Sequence, residues 1–404
     1  MRFAISIAVA VIASNAGGAL GKAEAASPSA SAGQGSCQAV GDTKTMTGAV
    51  LQGDCLRDAK RLTEAVAAYR RGLEIDPKGS RDLYLGLSVA YLDGGRSQSA
   101  LEAAQAADRI SPGDPTVLVE VGMAYEDLHA FPEALDYFRR TVALRPSDGR
   151  AMRNVGFVLR QMNQPDAAVD ALEKAVEINP NDWKAQYNLS RAYADVYRSG
   201  MAQAQALDMS MPHGGPSTAP AFVQRDAIFK KLNATPYIAK AIEHSREACR
   251  LQPDNHDLWY GHAHLLSEFR PNDDEERFDA FKRAIALKPD YYPALHDLAL
   301  AQSKNGRYAE AYVTLDQLEK YHGDDRDIEW TRGDLDLATK RYEDAVKHYG
   351  AAVAKDPEEP RLHFGLARAY RKLARNEDSQ RELDLAKALR PGEAASYDRM
   401  LAGD

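Results

Sequence analysis

Proline recurs along this chain at an interval that hardly varies. Prolines that follow a polar residue are separated by 34, 35 or 36 residues, with one interval of 73. Because proline cannot continue a helix interior, a regular proline marks a regular helix end. A period of this length predicts stacked units that bury their apolar faces on one another, in place of the two or three separate domains that 404 residues would otherwise suggest. The positions are Pro77, Pro112, Pro146, Pro180, Pro253, Pro289, Pro357 and Pro391, with Gly323 replacing one proline.

Small and aromatic residues keep one register within each period. When the proline is set at position 32, the unit that begins at Pro115 has Gly122 at position 8, Tyr125 at 11, Ala134 at 20 and Phe138 at 24. Small side chains let two helices approach closely, and an aromatic ring fills the adjoining space. This pattern recurs between residues 46 and 391 and resembles that of the tetratricopeptide-repeat family.

The resemblance implies an all-α fold, a right-handed α-solenoid of about nine helix-turn-helix repeats with a C-terminal capping helix. In that family, the first helix of each repeat (helix A) lines a concave groove, and the second (helix B) lies outside it. The expected segments are a signal peptide at 1–25, a flexible linker at 26–45, repeats one to four with helix A of repeat five at 46–197, an insertion at 198–236, helix B of repeat five with repeats six to nine at 237–391, and a cap at 392–404.

The interval of 73 indicates an insertion of 39 residues inside repeat five. We expect helix A to run from Trp183 to about Tyr197 and helix B from about Tyr237 to Leu251, with a short helix at Gln224–Leu232 between them. Long insertions in compact domains are commonly lids or disordered segments, so a flap over the groove is expected here.

The N-terminus has the three regions of a secretory signal peptide. Arg2 precedes an apolar run from Phe3 to Ala13, and small residues follow. Eleven apolar residues are too few to span a membrane. We expect cleavage after Ala25, export to a periplasm or the cell exterior, and no transmembrane span afterwards.

Export makes the three cysteines informative. Cys37 and Cys55 lie eighteen residues apart and could form a disulfide in an oxidising compartment. Cys249 falls on the apolar face of a helix, which predicts a buried, inert thiol.

Charge and motifs argue against two classes of function. The chain carries 51 Lys and Arg against 59 Asp and Glu, so its net charge of −8 disfavours general binding to nucleic acid. The sequence has no phosphate-binding glycine loop, no His-Glu-x-x-His and no Gly-x-Ser-x-Gly. We therefore expect no catalytic activity and no cofactor.

The groove positions single out repeats four and five. In the family, helix A positions 2, 5, 6, 9, 12 and 13 face the ligand. Here they supply five cations and two asparagines on one surface of a net-acidic chain. The candidate ligand-binding residues are Arg150, Arg153, Asn154, Phe157, Arg160, Lys184, Tyr187, Asn188 and Arg191.

The resemblance also implies how such a groove binds a peptide. Asparagine at position 6 holds a ligand backbone through its amide, and cations nearby hold a carboxylate. Asn154 and Asn188 occupy position 6, and Lys184 occupies position 2. The family's carboxylate clamp is incomplete, since repeat three has Val119 and Met123 at the required places. We expect another protein or a peptide as partner, with an acidic segment or carboxylate.

The insertion supports a second hypothesis. Met209, Met211 and His213 are soft ligands that could hold Cu(I) in an exported protein. A copper-handling protein is therefore the alternative to a binding scaffold of the cell envelope, and a purely structural spacer is a third.

Overall fold

The structure is a computed structural model that describes residue 37 and residues 44–210, 220–271, 274–323 and 325–403. Within these ranges it is an all-α fold of helical repeats, which confirms the expected fold class. No helix among them combines the length and the apolar character needed to cross a membrane. The expected signal peptide and most of the expected linker lie outside the described residues.

Twenty α-helices follow one another through the described ranges. They are α1 (Met46–Asp58), α2 (Leu62–Ile75), α3 (Arg81–Asp93), α4 (Ser97–Ile110), α5 (Pro115–Asp127), α6 (Phe131–Leu144), α7 (Gly149–Gln161), α8 (Pro165–Ile178), α9 (Trp183–Ser210), α10 (Pro220–Ala234), α11 (Tyr237–Leu251), α12 (His256–Phe269), α13 (Asp274–Leu287), α14 (Tyr292–Lys304), α15 (Tyr308–His322), α16 (Arg326–Ala338), α17 (Tyr342–Lys355), α18 (Pro360–Lys372), α19 (Asn376–Leu389) and α20 (Ala394–Gly403).

The chain divides into two compact units, Met1–Ala234 and Thr235–Asp404. The described part of the first unit contains the helix pairs of repeats one to four, followed by α9 and α10. The second unit contains α11, the helix pairs of repeats six to nine and α20. In each unit, every described helix packs against the next one along the chain.

A buried aromatic ring between two glycines links successive repeats. Tyr69 of α2 is fully buried, and a Cβ atom at Gly53 or Gly86 would come within 2.4 Å of its ring. In the second unit, the ring of Tyr349 lies in the same way between Gly333 and Gly365. The position-8 glycine of one repeat and the position-6 glycine of the next therefore leave room for the position-24 ring; the sequence register predicts the first of these two glycines.

The turns between helix A and helix B share one backbone conformation in repeats one to four and seven to nine. Their position 15 has a positive φ, 57° at Asn163 and 72° at Gly306. Glycine adopts this left-handed region without cost, whereas a side chain opposes it. Repeat five lacks such a turn, because its position 15, Tyr197, is still helical.

The insertion differs from its expected form. Helix α9 does not end near Tyr197 but continues to Ser210, and the helix that follows is longer than expected, Pro220–Ala234. The side chain of Leu232 lies at Gly200, and Arg225 Nη1 donates to Asp208 Oδ1 at 2.8 Å, so α10 runs back along α9. The described insertion is thus an antiparallel helical hairpin.

Specific contacts hold the segments next to the first and the last repeat against those repeats. Cys37 is joined to Cys55 of α1 by a disulfide, with a Cα–Cα distance of 5.7 Å. Cys249 is buried, and burial raises the pKa of its thiol to about 12. At the C-terminal end, Tyr397 of α20 packs on Phe364 with ring centroids 5.0 Å apart, which covers the apolar face of repeat nine.

The glycine and tyrosine contact predicts opposite effects for two similar substitutions in the second unit. Gly365→Ala should destabilise this unit by about 1–2 kcal/mol, because its Cβ would lie 2.5 Å from the Tyr349 ring. Gly350→Ala should stabilise it by about 0.5–1 kcal/mol, because no atom lies within 4 Å and alanine favours the helix. Urea unfolding of both variants checks this, and equal shifts of the midpoint would contradict it.

Candidate functional site

The predicted site residues lie on two helices A that pack side by side. Arg150, Arg153, Asn154, Phe157 and Arg160 are on α7. Lys184, Tyr187, Asn188 and Arg191 are on α9, which contacts α7 directly. Most of these side chains are half-buried, while Arg150 is exposed.

Arg153 is held by a carboxylate that the sequence analysis did not include. Its Nη1 donates to Asp182 Oδ2 at 2.6 Å, and only 15% and 10% of the two side chains are exposed. Asp182 Oδ1 also accepts from the backbone N–H groups of Lys184 and Ala185. Asp182 therefore caps α9 and fixes it to α7 through Arg153.

Arg160 is held in a second ion pair. Its Nε donates to Asp195 Oδ2 at 2.6 Å, and Arg198 Nη1 donates to Asp195 Oδ1 at 2.7 Å. Burial and the neighbouring Arg191 lower the pKa of the Arg160 guanidinium, and Asp195 offsets part of this effect. Two of the five cations of the expected basic cluster are thus neutralised by aspartates, so the cluster is less basic than the sequence analysis implies.

The remaining cations lie beside aromatic rings or in solvent. Arg191 Nη1 donates to the Tyr187 hydroxyl at 3.3 Å, and its guanidinium lies 5.7 Å from that ring centroid. Lys184 Nζ lies 5.4 Å from the Trp183 ring. Arg150 is exposed at the start of α7. These contacts place three positive groups around a polar and aromatic surface.

Both asparagines retain hydrogen-bonding capacity. Asn154 Oδ1 accepts a long bond, 3.4 Å, from Arg153 Nη2. The amide of Asn188 makes no hydrogen bond to any residue that the structure describes. Since each amide can both donate and accept, the pair can bind an extended backbone.

Two glutamates on α5 belong to the same surface and were not selected from the sequence. Glu120 is at position 6 and Glu126 at position 12, and desolvation raises the pKa of each carboxyl to about 7. Arg150 partly offsets the shift at Glu120, and Arg153 does so at Glu126. The groove positions of the family would have found both glutamates, but their weak solvation shows only in the packed structure.

Two depressions in the described part of the chain lie near this surface or elsewhere on the first unit, and only one of them touches a predicted site residue, at Arg150. One of about 620 Å³ opens at the turns between repeats three and four. The other, of about 560 Å³, lies between α9 and α10. The second is lined by Gln203, Ala206, Leu207, Gln224, Ala227 and Ile228.

The residues of the copper hypothesis are only partly described. Met209, near the end of α9, is 81% exposed. Met211 and His213 lie outside the described residues. Copper binding through the insertion stays a prediction.

Comparisons with known proteins agree with the repeat pattern. Tetratricopeptide-repeat family models match residues 46–80, 79–115, 150–182, 278–329 and 336–402, which together make up more than half of the chain. No curated protein sequence matches the chain.

Solved structures of repeat proteins resemble it at low identity. A monomeric mutant of IFIT1 with Gppp-AAAA aligns at 17% identity, covering 85% of this chain and 71% of that chain, with a TM-score of 0.50. PilF of Pseudomonas aeruginosa aligns at 17% identity over 63% of this chain and 96% of that chain, with a TM-score of 0.44. A tetratricopeptide repeat protein of Parabacteroides merdae aligns at 16% identity over 71% of this chain and 97% of that chain, with a TM-score of 0.42. At 17% identity the IFIT1 alignment indicates a shared fold only.

The ion pair at Asp195 predicts a stability effect that an exposed pair lacks. Asp195→Ala should lower the free energy of unfolding of the first unit by about 2 kcal/mol, because it leaves the nearly buried Arg160 without a countercharge. Asp208→Ala removes the partner of Arg225 in a more exposed ion pair. It should change the free energy of unfolding by less than about 0.5 kcal/mol. Urea unfolding measures the free energy of unfolding of both variants. If both lose the same amount, the difference in burial does not determine the effect of the ion pair.

Proposed function

Because the chain belongs to the tetratricopeptide-repeat family, we propose that it is a non-catalytic scaffold of the cell envelope that binds another protein or peptide. The ligand lies in the groove around repeats four and five. The observation that carries this proposal is the pair of equivalent asparagines, Asn154 and Asn188, on neighbouring helices A. Because both occupy the same position in consecutive repeats, their amides recur at a regular interval. The peptide groups of an extended ligand also recur regularly along its backbone, so the two sets can pair.

The ion pairs around these asparagines support binding with little reorganisation. Asp182 caps α9 and pairs with Arg153 of α7. Asp195 lies within α9 and pairs with Arg160 of α7. The two helices are thereby connected at both ends of the proposed site. A groove that is rigid before the ligand arrives avoids part of the ordering cost of association.

Side chains on either side of the asparagines supply the rest of a peptide site. Phe157 and Tyr187 offer half-buried aromatic surface. Arg150, Lys184 and Arg191 offer positive charge, which suits an acidic segment or a carboxylate of the ligand. This positive surface is smaller than five cations would make it, because Arg153 and Arg160 are already paired.

Export to the periplasm or the cell exterior is part of this proposal. It is supported by the apolar N-terminal segment and by the disulfide between Cys37 and Cys55. Disulfides persist in oxidising compartments and are rare in the cytosol.

Replacing both asparagines should abolish ligand capture. A photocrosslinking amino acid at Phe157, in the groove, is expected to trap the ligand in envelope extracts. The same group at Val313, an exposed position on helix B of repeat seven, should trap nothing specific. In the Phe157-labelled protein, Asn154→Ala with Asn188→Ala should weaken capture at least about 30-fold, from two lost amide contacts of about 1–1.5 kcal/mol each.

The control is a matched double substitution outside the groove. Asn233→Ala with Asn376→Ala changes two exposed asparagines on α10 and α19 and should leave capture intact. Circular dichroism establishes that both double variants fold. Capture that is unchanged in the groove variant would refute the assignment of these asparagines.

Signal cleavage has a direct readout in the mass of the exported chain. We expect the mature protein to begin at Ala26, so that its intact mass lacks the first 25 residues. Mass spectrometry of the protein isolated from the periplasm or medium measures this. A full-length chain that remains in the cytoplasm would contradict export.

A further inference from the structure

An unpaired carboxylate lies on the groove surface next to the proposed peptide site. Glu120 of α5 occupies position 6, the place that Asn154 occupies in α7. Its Oε2 atom is shielded from solvent and has no hydrogen-bond partner in the described part of the chain. The residue as a whole is partly exposed and only Oε2 is fully shielded, so Oε1 is the oxygen that a ligand can reach.

Charged groups surround Glu120 without pairing to it. Arg57 of α1 and Arg150 of α7 act on it from two sides, and Asp93 of α3 repels it. No described residue forms a salt bridge with this carboxylate within 4.0 Å. A buried acceptor without a hydrogen-bond partner destabilises the protein, and more so when it is ionised. A ligand that brings a positive group offsets this effect.

The surroundings favour one kind of positive group. Val119 and Met123, the neighbours of Glu120 on α5, are half-buried apolar residues. The aliphatic stem of a lysine can pack on such a surface while its ammonium meets the carboxylate. With one oxygen shielded, the carboxylate cannot accept the two parallel bonds of a guanidinium, and a compact ammonium needs only one.

We propose that the groove selects a lysine side chain of the bound peptide through the Glu120 carboxylate. This inference rests on the proposed function, because it concerns the peptide held at Asn154 and Asn188. The expected ligand then carries both an acidic segment and a lysine. Its acidic segment lies toward Arg150 and Arg191, and its lysine lies toward α5.

The test uses a display library of random nonapeptides on the full-length protein. Wild-type protein should enrich peptides with lysine at one fixed position at least about threefold over the input. Glu120→Gln keeps the shape of the side chain and removes its charge, so it should still capture peptides but lose the lysine enrichment. Glu120→Lys should select Asp or Glu at the same position. Glu102→Gln, on the exposed face of α4, is the matched control and should behave as wild type.

The outcomes separate this inference from the function on which it rests. If the wild-type protein captures no peptide, the proposed function fails. If it captures peptides without lysine enrichment, or if arginine is enriched equally, the assignment of Glu120 is overturned. If the enrichment is lost in Glu126→Gln and kept in Glu120→Gln, the acceptor is Glu126 and the assignment is again overturned.

A pH series gives a second readout on the same library. Desolvation raises the pKa of Glu120 to about 7, so its carboxylate gains a proton as the pH falls through this value. Lysine enrichment should therefore be strong at pH 8 and weak at pH 5.5. The charged groups that act on Glu120 are Arg57, Arg150 and Asp93. Enrichment that is equal at both values would contradict the role of Glu120.

Discussion

The aromatic ring between two glycines is the contact on which the stacking of the repeats depends. Tyr69 and Tyr349 each occupy the space left by two glycines, one in their own repeat and one in the next. A single methyl group at either glycine would overlap the ring, so the contact sets how closely adjacent helices A approach. The candidate ligand-binding residues lie on helices A, so the spacing of these helices also sets the spacing of those side chains.

Much of this arrangement could be predicted from the sequence. The register of small and aromatic residues identifies the helix pairs, because only those residue types fit their packing positions. Helix α9 was expected to stop where the other helices A stop. It continues past Tyr197, and the antiparallel α10 covers its extension, with Leu232 against Gly200. A periodic sequence pattern cannot predict the end of a helix that departs from the period.

The charge pattern around the candidate site residues was harder to predict from the sequence than the helices on which these residues lie. Asp182 lies in a turn and is absent from the list of groove positions, yet it neutralises Arg153. Asp195 occupies a groove position, but only the packed structure shows it directed at Arg160. Glu120 and Glu126 look like ordinary solvated acids in the sequence, and desolvation by their neighbours distinguishes them. Counting charges by position therefore overstated the basic character and overlooked the acidic side.

The division of the chain after Ala234 bears on how the protein reaches its folded state. Every described helix of the first unit has a packing partner within that unit, since α10 supplies one for α9. The polypeptide up to residue 234 therefore holds a complete set of local contacts before the rest has been synthesised. Repeat proteins with such short-range contacts fold segment by segment. For a chain that emerges N-terminus first, the helices that carry the candidate site residues can be assembled while the second unit is still being made.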